Sequence, residues 1–194
     1  MGKAERTRQF IIEKAAPIFN QKGVAGTSMN DVMEATKLAK GGMYRHFESK
    51  EALSLEVFNY LSSSMHEGVT AAVSQAATAR EKLYALLDFY NTRLLASAGG
   101  CAILNFGTES DDTNPVMKQK VREAVRRFRN RIIKIINEGQ GTAEIPASFE
   151  AEVFATKVFT MIEGAVLISK LENNPEYLHT IIKLLKNEVK EKTK

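Results

Sequence analysis

Lys40, Tyr44, Arg45 and His46 crowd around the pair Gly41-Gly42 in the stretch TKLAKGGMYRHFESKEAL, Thr36 to Leu53. Together they offer an ammonium, a phenol, a guanidinium and an imidazole, groups that engage phosphate oxygens and the edges of bases. The glycines are the anomaly. Each costs about 1 kcal/mol relative to alanine inside a helix, and two in a row weaken a short element. Breaches of local rules concentrate at functional places. Without side chains at Gly41 and Gly42, a helix backbone can sit close to another surface while Lys40 and Tyr44 reach past it.

The neighbouring elements say what could hold these groups. From Arg6 to Gln21 the apolar residues Phe10, Ile11, Ala15, Ile18 and Phe19 keep a helical period, with Pro17 predicting a bend and Gly23 a C-cap. TSMND offers Ser28 as N-cap with Asp31 three positions on, so a second helix runs to about Ala35. A third starts three residues later, and ESKEAL caps a fourth at Ser49. Helix, short turn, helix is the helix-turn-helix spacing, whose second member lies in the DNA major groove. On a wheel of about 100° per residue, Ala39, Met43 and Phe47 face inward. Lys40, Gly41, Tyr44 and Arg45 share the opposite side. Lys40 suits guanine O6/N7, and Tyr44 suits a phosphate or a thymine methyl. Thr27, Ser28, His46 and Lys50 stand at helix ends, where they are placed for phosphate oxygens.

Charge points the same way. Residues 1–50 carry nine lysines and arginines against five acids, and the rest of the chain balances, so the whole net charge of +4 lies in the first quarter. A polyanionic partner would explain that, and so would an ordinary solvated surface. The start of the chain has no continuous apolar run, so neither a signal peptide nor a membrane anchor is expected. One cysteine, Cys101, allows no internal disulfide and fits a reducing cytoplasm.

GTSMNDVMEATKLAKGGMYRHFESKEAL, Gly26 to Leu53, resembles the amino-terminal signature of the tetracycline-repressor (TetR) family, in its Gly-Thr opening, Lys-Gly step, Tyr-x-His-Phe exit and Ser-Lys-Glu cap. The resemblance covers about 45 residues with the first helix. Gly42 departs from it, since Ser, Thr or Ala is more usual there. The resemblance implies an all-α protein: a three-helix DNA-binding head over 1–48, and a helical effector-binding and dimerisation domain over 49–194. It implies a homodimer on a palindromic double-stranded operator, released by a small-molecule effector.

Beyond Leu53 the periodicity predicts helices over Leu53–Met65, Arg80–Leu95, a short one from Cys101, Pro115–Ile136, Phe149–Leu171 and Tyr177–Val189. Asn114-Pro115 is a start signal, and the glycines of EGQGTAEI read as a C-cap. The segment Phe149–Leu171 is apolar around much of its circumference. Its second buried side is either a partner subunit, through Phe154, Val158, Ile162, Ala165 and Val166, or the rest of the same chain. Phe89, Tyr90, Arg93, Leu104, Phe106, Phe128, Phe159 and Glu163 lie on the helices that wall the effector pocket in related folds. Cys101, opening a helix, is either an activated thiol beside that pocket or a small packing residue.

No catalytic constellation stands out. His66-Glu67 lacks a second histidine at metalloprotease spacing, and the histidines form no pattern with Cys101, so neither an enzyme nor a metal or cofactor site is expected. Glu109, Asp111 and Asp112 read as a solvated acidic loop or a cation site. Lys118, Arg122, Arg126 and Arg129 read as a solvated face or a seat for an anion. The competing reading of the whole is a helical protein-interaction module whose basic head meets an acidic partner.

Overall fold

The first helix, α1, spans Lys3–Gly26 in a computed structural model that describes residues 2–193. Its regular turns end at Gly23, whose φ of +74° lies in the left-handed region that favours glycine. Ile11, Ile12, Ala15, Ala16 and Phe19 are its buried face, while Phe10 is 39% exposed. Ser28 caps α2 (Met29–Thr36) as the capping box predicts, accepting the Asp31 N–H at 3.2 Å. Lys37, at φ +59°, turns the chain toward α3 (Lys40–Tyr44).

The six segments of helical pattern that follow become six helices. These are α4 (Lys50–Ser74), α5 (Ala79–Ala96), α6 (Ala102–Ser110), α7 (Pro115–Gly141), α8 (Ala151–Leu171) and α9 (Glu176–Lys192). Among the described residues there is no strand, so the all-α expectation holds. Two helices run longer than their sequence pattern. α4 continues nine residues past Met65 through Gly68, where the Phe89 ring occupies the place of a side chain, and Val69 is fully buried. α7 runs through Gly139 to Gly141, so these glycines lie inside the helix and not beyond its end. A Cβ on Gly139 would stand 2.6 Å from that of Ala79. In both places a tertiary contact outweighs the local cost of glycine.

Two compact units result: Met1–Ser64 with Cys101–Arg122, and Met65–Gly100 with Glu123–Lys194. In the first, α1 packs on α2 and α6, and its core includes Phe19, Met43, Phe47, Phe58 and Phe106. In the second, α5, α8 and α9 pack together over Leu83, Leu86, Val158, Ile162, Leu178 and Leu185. No helix among the described residues is long and apolar enough to cross a membrane.

Candidate nucleic-acid interface

Short as it is, α3 separates its two sides cleanly. Met43 is fully buried and Phe47 is 3% exposed, with the Arg8 guanidinium 4.7 Å above the Phe47 ring and itself paired to Glu56 at 3.1 Å. Lys40, Gly41, Tyr44 and Arg45 face solvent. Ala39 is exposed, against the wheel expectation. It is the N-cap, in extended conformation at φ −69° and ψ 156°, so helical spacing does not apply to it. The Lys40 ammonium lies 5.9 Å from the Tyr44 ring centroid, which sets the two groups on one patch. A Cβ on Gly41 would meet nothing within 4 Å, and one on Gly42 only Leu38, at 4.0 Å. The fold therefore has no internal need for either glycine, and a side chain there would project outward.

The helix-end residues divide between surface and scaffold. Ser28 is committed to Asp31, whose carboxylate accepts the Ser28 N–H at 2.7 Å, the Ser28 hydroxyl at 2.6 Å and the Lys22 ammonium at 2.5 Å. The Lys22 ammonium first, then the Ser28 hydroxyl and N–H, hold the Asp31 carboxyl well below the usual carboxylate range. Thr27 is 2% exposed and donates its hydroxyl to the Gly23 carbonyl at 2.6 Å. Lys50 donates to the Val24 carbonyl at 2.8 Å. Thr27 and Lys50 thus close the end of α1, while half-buried His46 sits at the exit of α3.

Sequence reading missed what holds that end of α1 from the other side. Asn105 of α6 donates to the Asn20 carbonyl at 2.9 Å and its side-chain oxygen at 3.0 Å. Glu109, read above as part of an acidic loop, accepts the Val24 N–H at 2.6 Å. A Cβ on Gly23 would displace the Glu109 carboxylate from this bond, and the positive φ is what requires glycine there. These partners are 85 residues apart in sequence, beyond the reach of any local signal.

The residues expected at an effector site fall in both units. In the second, Phe89, Tyr90, Phe128 and Phe159 form a chain of ring contacts, with centroids 5.8, 4.9 and 5.2 Å apart in turn. Glu163, one turn beyond Phe159, is 8% exposed, whereas Arg93 faces solvent. Asn91 Oδ1 and Arg129 Nε, each adjacent in sequence to a ring of the chain, are buried without a hydrogen-bond partner among the described residues. In the first unit, Cys101 is 5% exposed, Leu104 is half-buried, and Phe106 packs on Phe58 at 5.3 Å.

The five residues expected at a subunit interface need correction. Phe154, Val158, Ile162, Ala165 and Val166 are between 0% and 5% exposed within the single chain, because α8 turns that side toward α5 and α9. What α8 leaves in solvent is another stripe, Gly164, Leu167, Ile168 and Leu171.

Comparison with known proteins agrees with this architecture. Residues 11–57 match the family described as bacterial regulatory proteins, tetR family, and residues 79–185 match the tetracyclin repressor-like C-terminal domain. The HTH-type transcriptional repressor DhaR of Mycobacterium sp. (strain GP1) is 27% identical over 172 residues, 88% of this chain and 86% of that protein. The crystal structure of a TetR-family transcriptional regulator from Cytophaga hutchinsonii superposes with a TM-score of 0.92 at 35% identity, covering 100% of this chain and 98% of that one. A TetR transcriptional regulator from Chloroflexus aurantiacus J-10-FL gives 0.94 at 33% identity over the same shares. With the helix-turn-helix in place and both halves of the chain matched, the chain belongs to the TetR family of DNA-binding transcriptional regulators.

Proposed function

We propose that the chain is a repressor that binds a palindromic operator as a homodimer and leaves it when a small-molecule effector binds. The observation that carries this reading is the split of α3, with Met43 and the adjoining Phe47 buried beneath an exposed face of Lys40, Gly41, Tyr44 and Arg45. The name of the Mycobacterium relative, a repressor, supports the direction of control. Lys40 and Tyr44 make the base contacts, while Arg45, His46 and the α2 end at Ser28 hold phosphates. Gly41 and Gly42 bring the backbone close. Thr27 and Lys50 act indirectly, by shaping the loop that carries α2. Residues 1–48 form the DNA-binding head, residues 49–194 the effector and dimer body, and such a protein works in the cytoplasm.

The aromatic chain of Phe89, Tyr90, Phe128 and Phe159 supports an effector pocket in the second unit, with Asn91 and Arg129 offering polar groups to the ligand. The dimer forms through the exposed stripe of α8 with Tyr177 and Leu184 of α9, which are 43% and 51% exposed. Apolar side chains repeated along one helix face suit a four-helix contact between two copies. The Asn105 and Glu109 contacts supply a route for control. Any displacement of α6 pulls on the turn that precedes α2.

The test is a titration of the native protein with a palindromic duplex recovered by genomic pull-down and with a scrambled duplex, across a salt series. The expected result is binding to the palindrome that weakens linearly in log salt, with two protomers per duplex. In Lys40→Ala, loss of a base contact should cost about 1–3 kcal/mol of discrimination while the fold is kept. Equal affinity for both duplexes in the native protein would overturn the reading.

A further inference from the structure

A groove of about 590 Å³ runs between the later part of α4 and the middle of α7, within the second unit. Its wall is built around Arg131. The guanidinium donates from Nη1 to the His66 carbonyl at 3.1 Å, and from Nη2 to the Thr70 hydroxyl at 2.7 Å and the His66 ring at 2.8 Å. These bonds fix the planar group against α4 and leave one Nη1 hydrogen and the Nε–H without a partner among the described residues. A guanidinium this close to the ring nitrogens disfavours a second positive charge on the His66 imidazole. Burial first, then the charges of Arg131 and Arg127, push the imidazole below its ordinary value, against the pull of Glu67.

The charge in the groove is unbalanced. Lys82 and Lys134 share a single carboxylate, Glu138, at 3.4 and 3.8 Å. Arg131 has no carboxylate within 4.0 Å among the described residues, although it is partly withdrawn from water. An arginine held rigidly, short of a counter-charge and with donors to spare, is a ready seat for an oxyanion. Lys134 stands one turn further along the same face of α7. The remaining wall is aliphatic: Val73 of α4 is half-buried and Ile135 of α7 is 4% exposed.

We propose that this groove binds a small amphipathic anion, a carboxylate or a phosphate ester, with its head group on Arg131 and Lys134 and its hydrocarbon part along Val73 and Ile135. This site goes beyond the effector pocket considered above and requires neither the aromatic chain nor DNA. The two cations supply affinity for the head, and the apolar wall rejects a bare inorganic ion. Because Arg131 is held partly out of water with no carboxylate beside it among the described residues, an anion gains more there than at an exposed lysine.

The experiment is calorimetric titration of the full native chain with hexanoate, hexyl phosphate, hexanol and inorganic phosphate, alongside histidine-selective NMR of His66. At least one of the two amphipathic anions should saturate with one site per chain, and the preferred one identifies the head group. Hexanol and inorganic phosphate should each bind at least roughly tenfold more weakly. The bound anion should raise the His66 titration midpoint by screening Arg131. Arg131→Gln should lose roughly tenfold in affinity and Lys134→Gln roughly threefold. Lys134 is so exposed that its variant keeps the fold. Hexanol binding as tightly as hexanoate and hexyl phosphate, no saturable site for either anion, or native affinity in Lys134→Gln and Arg131→Gln would each overturn the proposal.

Discussion

Gly41 in α3 and Gly68 in α4 are both glycines within helices, and their surroundings are opposite. A methyl group on Gly41 would meet nothing within 4 Å, whereas one on Gly68 would drive into the Phe89 ring. Both forgo the about 1 kcal/mol that alanine would add to a helix. At Gly68 the return is internal, a seat for the Phe89 ring against α4. At Gly41 no packing contact inside the chain uses the missing side chain, and the proposal above assigns that open space to DNA. A glycine can therefore mark a packing contact or a binding face, and only its neighbours tell which.

The comparison is broken most forcefully at Gly68. Gly68→Leu should destabilise the protein by about 3 kcal/mol, since overpacking of this kind displaces an aromatic ring. Thermal unfolding measures it, and a native Tm would show that the ring moves aside at little cost.

The exposed stripe of α8 extends the comparison to a second open face. Ile168→Glu combined with Leu171→Glu should leave the fold intact and weaken self-association at least roughly tenfold, as read by sedimentation equilibrium. An unchanged dimer would place the subunit interface elsewhere.

Glu109 sits between the open and the closed cases, a polar contact inside the first unit that serves a surface. Glu109→Gln weakens a charge-assisted bond to the Val24 N–H, with an expected loss of about 1 kcal/mol in stability. Operator affinity should fall together with it, because the turn before α2 loses its hold. If stability fell and operator affinity did not, α6 would have no part in setting the head.

Much of the head could be read in the sequence because its determinants are local. The Ser28–Asp31 capping box and the Met43–Phe47 spacing are each complete within five residues. The same local rules failed at Ala39, where the helix had not yet begun, and at Gly68 and Gly139, where distant side chains decide. Thr27 and Lys50 stand at helix ends, a position that says nothing of which way a donor turns. Their partners, Gly23 and Val24, emerge only once α1 ends in its left-handed turn. α8 was the hardest to read. A helix apolar on most sides has no polar face to orient it, so Phe154 and Val158 could not be told from Leu167 and Ile168 until α5 and α9 covered one set. Nor does any periodicity bring Asn105 and Glu109 to the end of α1.

The claim that the open face of α3 exists for DNA is tested most directly on Gly41→Leu, by measuring its Tm and its operator affinity side by side with the native protein. The expected result is a Tm equal to or above the native value, since leucine is the better helix former and meets nothing in the fold, together with a loss of operator affinity of at least roughly tenfold. Native operator affinity, with or without a lower Tm, would contradict it and assign the glycine to the fold.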